Sequence, residues 1–351
     1  MRRVDQVSWF PVGPKALVAT FLCILLSSSC GAQEEQIDSV VLLGGWSGSS
    51  QEFLTDSELI FDDLSTCVAQ IPHLDPGLAR FGSVASFLDP QLILCGLLDG
   101  TYCLSVDLRN MAESWQSMAG LNEAREYATS CQYEGKMYVM GGYSPTFGTA
   151  LSSVEIYDLD SLRWKVDRSM ALPSPRERHC SVVIDGVLYV IGGVGYDSMI
   201  SYDLTQENAE WHTLASLPEV RYDHACASYP VDWDQESTGI VVAGGSSIEE
   251  EFILETWFYD PTINAWQSMG KMWNPRKGHG MASLGGIATV FGGFDFVRLI
   301  QGNATKLYLE TDMIEIFENG QWLGVSSHLS TPRMDFAHSV VPQNIVQCSL
   351  N

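Results

Sequence analysis

HCSVVIDGVLYVIGGVGYDSMISYDLTQENAEWHTLASLPEVR, His179–Arg221, reads as one complete supersecondary unit. An alternating run, Ser181–Ile184, meets the turn pair Asp185-Gly186, and a second apolar run, Val187–Ile191, ends in Gly192-Gly193. A third run closes on Tyr202-Asp203, Trp211 follows, and the segment ends at Leu217-Pro218 and Arg221. Short β-branched and aromatic runs with a turn signal between each pair predict a four-stranded antiparallel meander.

The rest of the chain repeats this unit. Glycine pairs recur at Gly44-Gly45, Gly141-Gly142, Gly192-Gly193, Gly244-Gly245 and Gly292-Gly293, with a degenerate copy at Cys95-Gly96-Leu97. Third-strand runs recur as LIFDD (59–63), LSVDL (104–108), VEIYD (154–158), ISYD (200–203), WFYD (257–260) and IEIF (314–317). Fourth strands carry Trp115, Trp164, Trp211, Trp266 and Trp322, and Arg80, Arg125, Arg176, Arg221, Arg276 and Arg333 precede the first strands. A period of about 45 to 52 residues is that of kelch arrays rather than helical solenoids. The sequence resembles the kelch-repeat family over roughly residues 38–342. That resemblance implies an all-β fold, a six-bladed β-propeller of four-stranded antiparallel blades.

The residue types suit such a ring. Paired glycines at a strand end permit positive φ and close backbone approach. A Trp fills the wedge between blades and needs a partner for its indole N–H. The repeated Arg is expected to stitch one blade to the next through carbonyls or carboxylates.

The array is out of phase with the chain ends. Ser39–Leu43 reads as a second strand and Phe336–Val341 as an unpartnered first strand. Pairing them in blade 1 closes the ring and removes open edges. Blade 1 then takes 38–70 plus 336–341, and blades 2 to 6 take 81–118, 126–169, 177–216, 222–269 and 277–324. The domain plan is a leader, 1–32, a short segment, 33–37, the propeller, 38–342, and a tail, 343–351.

Arg2, Arg3 and Lys15 precede an apolar stretch, Ala16–Leu26, and small residues up to Ala32, the pattern of a cleaved secretory signal peptide. That stretch is short of the ~20 residues needed to span a bilayer, so no membrane insertion is expected after cleavage. Export predicts a disulfide-permissive surrounding, with Cys67–Cys348 and Cys95–Cys103 as candidate bridges and Cys131, Cys180 and Cys226 as buried thiols. The sequon at Asn303 predicts a surface glycan. A net charge of −24 argues against nucleic acid as a partner.

By the same resemblance, loops after the glycine pairs and after the repeated Arg share one rim. Trp46, Tyr143 and Phe294 from the first set, and Tyr127, Arg178, Asp223 and Asp335 from the second, are expected to line the mouth of a central pocket. His179, His224 and His279 share one offset on consecutive blades, which reads as a structural repeat rather than a zinc site. No metal, cofactor or catalytic residue is expected.

Some kelch proteins are enzymes. The iron motif of plant specifier proteins breaks at Ala227, whereas the sialate epimerases resemble this chain in blade count, length and leader. An enzyme of that kind would draw its acid–base pair from Glu177, Arg178 and Asp223. The principal expectation is a secreted, monomeric, non-catalytic module for an extracellular protein or glycan. Cytosolic kelch adaptors carry a helical partner domain, for which this chain leaves little room, so an adaptor role is not expected.

Overall fold

A computed structural model describes residues 38–110, 114–230, 238–299 and 305–349. The leader and the Asn303 sequon lie outside them. Six four-stranded antiparallel sheets follow in chain order, which makes the described chain a six-bladed β-propeller. Blade 1 is assembled from both ends of the array: Ala337–Pro342 lies inside Asp38–Leu43, followed by Ser57–Ile60 and Thr66–Val68. Its register pairs Leu43 with Ala337 and Val41 with Ser339. Three further hairpins project between second and third strands: Trp46–Ser47 with Glu52–Phe53, Tyr143–Ser144 with Thr149–Ala150, and Phe294–Leu299 with Thr305–Glu310.

Each blade is apolar on both faces, so its side chains are buried only against the neighbouring blades. Six hydrophobic clusters result, one at each interface. The cluster at the closure sets Val40, Leu42 and Ile60 of blade 1 against Ala282, Leu284 and Phe291 of blade 6.

Polar stitches run beside the apolar ones. Trp115, Trp164, Trp211 and Trp266 donate their indole N–H backwards to the carbonyls of Pro72, Ala119, Met170 and Ala215, at 2.7–3.1 Å, and Trp322 donates to Thr256 Oγ1 at 2.9 Å. The repeated Arg works differently from the sequence expectation. Its guanidinium grips the blade it introduces: Arg125 Nη1 donates to Gly141 O at 2.8 Å, and Nη2 to Glu155 Oε1 at 2.7 Å. Its backbone carbonyl is what joins blades. The amide of Gly142 donates to Arg176 O, Gly193 to Arg221 O, Gly245 to Arg276 O and Gly293 to Arg333 O, all at 2.8–2.9 Å. A Cβ at Gly192, where φ is +64°, would stand 2.6 Å from Arg221 O, so this approach requires glycine.

Burying a guanidinium demands a counter-ion or a full set of acceptors. Blades 1, 3 and 6 supply fully buried carboxylates, Glu58, Glu155 and Glu315, at one position of the third strand. Glu155 also accepts from the amides of Asn122 and Glu123, which pins the connection entering blade 3. Blade 4 instead sets Arg176 over the Tyr196 ring, 4.6 Å from its centroid. Blade 2 has lost the arrangement: Leu97 replaces the second glycine, Leu104 holds the carboxylate position, and Arg80 is exposed, donating to Leu98 O.

Disulfides join Cys67 to Cys348 and Cys95 to Cys103. Beyond Pro342 the tail crosses to the outer edge of blade 1, where Gln70 N donates to Gln347 O and Ser349 N to Val68 O, at 2.8 Å each. Blade 1 is thus held by the C-terminal segment on its inner and outer strands alike. The expectation of three thiols on the inner strands is corrected, because Cys180 and Cys226 are bonded across blades 4 and 5. They sit one position apart in the repeat, and the offset between neighbouring inner strands brings the sulfurs together. Cys131 stays a thiol, pushed up to about 12 by burial and therefore unreactive.

Replacing Glu155 with Ala removes the nearer and fully buried of the two carboxylates beside Arg125, leaving Glu123 at 3.4 Å, and should destabilise the ring by about 3 kcal/mol, read as a lower urea midpoint. An unchanged midpoint would contradict the assigned role. Opening Cys67–Cys348 by Cys348→Ser should cost roughly 5 kcal/mol or less by the same measurement, since the closed loop is long.

Candidate binding site at the axial mouth

Two residues after each repeated Arg the chain bends into the inner strand. The six residues there, Gly82, Tyr127, Arg178, Asp223, Gly278 and Asp335, all adopt left-handed φ between 49° and 65°. Their backbones form a ring around the axis: each of Tyr127, Arg178, Asp223, Gly278 and Asp335 donates its N–H to the carbonyl of the member before it, at 2.9–3.2 Å. Four members are not glycine, and a left-handed conformation costs on the order of 1–3 kcal/mol each. The peptide ring offsets that strain and holds the four side chains at the mouth.

Those side chains make one cluster. Arg178 Nη1 donates to both oxygens of Asp223, at 2.8 and 3.0 Å, and its guanidinium lies 3.6 Å from the centroid of the Tyr127 ring. Gly82 and Gly278 make room for it. A Cβ on Gly278 would meet Asp335 Oδ1 at 2.5 Å, and one on Gly82 would meet Tyr127 N at 2.5 Å. Burial raises the Asp335 carboxyl to about 7, with the Asp223 charge adding to the rise and Arg178 and Lys277 partly offsetting it. Burial likewise raises Glu177.

Below the mouth the cavity, of about 210 Å³, descends along the inner strands past Ser130, Ser181 and the Cys180–Cys226 bridge to His338. Tyr127, Arg178, Asp223 and Asp335 all line it. Trp46, Tyr143 and Phe294 do not, which corrects that half of the sequence expectation. They begin the second-to-third-strand loops, further out on the same face. Trp46 packs edge-on to Phe53 at 5.1 Å and near Phe81 at 5.4 Å. Lys277, over the Phe252 ring at 5.0 Å, was missed by the sequence reading, although it directly follows a repeated Arg.

The three histidines also line this cavity. A Cβ added to Gly141 or Gly192 would strike the imidazole of His179 or His224, at 2.8 and 2.7 Å, and Gly244 likewise faces His279. Each ring is wedged against the first glycine of the preceding blade. Burial lowers all three, His224 to about 3, so they are neutral packing groups at physiological pH. Among the described residues no cluster of three or more metal-ligating side chains forms.

A family model described as "Kelch motif" matches residues 124–171 and 175–218, which are blades 3 and 4. The chain is a kelch-repeat protein. It is 34% identical to Kelch-like protein 33 of Homo sapiens over 132 residues, 36% of this chain and 24% of that one. With Kelch-like protein 23 of Homo sapiens it shares 27% identity over 172 residues, 48% of this chain and 29% of the relative. Kelch-like protein terF of Aspergillus terreus is 27% identical over 197 residues, 51% and 41% of the two chains. The kelch ring thus spans about a quarter of the two human relatives. Among solved structures, YjhT superposes with a TM-score of 0.63 at 17% identity, over 77% of this chain and 89% of that one, a likeness of fold.

Asp335 gives the mouth a titratable signature. Its folded carboxyl lies above the ordinary 3.8, so the folded state binds the proton more tightly than the unfolded chain. The resulting stability is present below the ordinary value once both forms are compared, and is lost as pH rises towards 7. Asp335→Asn should therefore stabilise the kelch ring at pH 8 by on the order of 2 kcal/mol, with the gain shrinking towards pH 4. A gain independent of pH would contradict the burial of this group.

Proposed function

We propose that this kelch ring is a secreted, non-catalytic interaction module that holds an extracellular protein or glycan on its rim loops and axial mouth. The observation that carries the reading is the convergence of Tyr127, Arg178, Asp223 and Asp335 on one cavity, each delivered by a different blade. Four polar or aromatic groups held by strained, mutually bonded turns make a preorganised surface, which lowers the ordering cost of binding. Fold-level likeness to kelch relatives supports a role in protein binding. Export is supported by the leader pattern before Ala32 and accords with three disulfides, which persist in oxidising compartments.

A second reading, a sugar-modifying isomerase similar to the kelch sialate epimerases, is favoured by one feature. The Asp335 carboxyl, raised to about 7 beside Asp223, is poised for general acid–base work. Turnover of free sialic acid by the purified chain would establish that reading, and its absence in the presence of glycan or protein binding would remove it.

Crosslinking capture from extracellular fluid, with the wild-type chain and Arg178→Ala as paired baits, tests the principal reading. A partner captured by wild type should be lost or weakened at least tenfold with the variant, because Asp223 loses its cation and Tyr127 its stacking partner. Equal capture by both baits would contradict the assignment of the mouth.

A further inference from the structure

Each inner strand starts beside the glycine pair that ends its antiparallel neighbour, so the axial mouth and the loops between second and third strands share one face. On that face blades 2 to 6 each present an exposed apolar side chain: Leu98, Phe147, Val194, Ile248 and Leu309. Trp46 and Phe53 of blade 1 add a cluster with Phe81, at the entry to blade 2. Apolar residues placed one per blade around a cavity differ from the singly scattered ones that any surface carries. The same loops are acidic. Glu249, Glu250 and Glu251 follow directly on Ile248, while the six loops hold two basic residues, Arg298 and Lys306.

At the centre, Arg178 is committed to Asp223 and Tyr127. Among the described residues no donor side chain reaches the Asp335 carboxylate, whose opposing charges, Arg178 and Lys277, act without a direct bond. The cavity beneath, about 210 Å³, is smaller than the roughly 300–1,000 Å³ of sites that enclose a drug-sized molecule. It suits a single long side chain.

We propose that this face docks a polypeptide carrying an exposed Lys or Arg, whose cationic head enters the axial cavity against Asp335 while neighbouring apolar side chains rest on the circle formed by Phe147, Ile248 and their counterparts. This rests on the reading of the ring as an interaction module and names the chemistry of its partner. A partly buried carboxylate without a side-chain donor gains most from an arriving cation, and the acidic loops steer that cation inwards. The groups facing Asp335 are Asp223, Arg178, Lys277 and Tyr127, with Glu177 nearby. Pairing with a cation requires ionised Asp335, so acidification must weaken binding.

The probes are two acetylated, amidated pentapeptides, Leu-Lys-Leu-Lys-Leu and Leu-Glu-Leu-Glu-Leu, titrated calorimetrically into the full chain with its disulfides intact. The Lys peptide should bind at least tenfold more tightly than the Glu peptide. Asp335→Asn should remove at least tenfold of that affinity. Asp160→Asn, which changes net charge equally on an exposed turn of the opposite face, should leave it within twofold. Affinity of the wild type should rise from pH 6 to pH 8, and that of Asp335→Asn should stay flat. Equal affinity for the two peptides, or equal effects of the two substitutions, overturns the proposal. If that happens while Arg178-dependent capture persists, the interaction-module reading stands; loss of both ends both.

Discussion

A buried arginine anchors each of five blades, and the organisation of the ring follows from where its two ends point. Its guanidinium closes on the carbonyl of the first glycine in its own blade, as Arg276 does on Gly292 O at 3.0 Å and Arg333 on Gly44 O at 3.1 Å. Its own carbonyl receives the second glycine's amide from the blade before. One residue thus fixes the connection between blades and the distance between their inner edges. Two residues later the chain has no freedom left, and the left-handed turn at the mouth follows. Binding chemistry at the axis is positioned by the same node that holds the blades together.

Closure obeys the same rule. Arg333 lies near the end of the chain, yet its partners, Gly44, Asp56 and Glu58, lie near the beginning of the array. The strand after it completes blade 1, and the disulfide at Cys348 holds the tail outside that blade. A ring sealed by pairing, ion pairs and a covalent bond gives blade 1 the same four strands as its neighbours, so the edges that remain are short and protected.

Much of this was legible in the sequence because the repeat is periodic. Glycine pairs, Trp residues and arginines in phase fixed six blades, and the mismatch of the chain ends predicted the closing strand. The partners of the arginines were less visible. Glu58, Glu155 and Glu315 stand in or beside the quoted third-strand runs, but three blades lack them, so no pattern stood out. The Cys180–Cys226 bond depends on the stagger of inner strands, which spacing within one repeat does not report. Mouth residues after the arginines were legible because a fixed offset from a buried anchor preserves geometry. Those after the glycine pairs were not, because Trp46, Tyr143 and Phe294 open the extra hairpins and pair with Met334, Glu126 and Lys277, the residues just before the turns at the mouth.

The account's central claim is that a run of five peptide hydrogen bonds around the axis, built on those anchors, holds the mouth rigid. Amide hydrogen exchange resolved at Tyr127, Arg178, Asp223, Gly278 and Asp335 tests it most directly. Protection comparable to the inner-strand amides, such as that of Val183, is the predicted result. Exchange at these five positions as fast as in an exposed loop would contradict it.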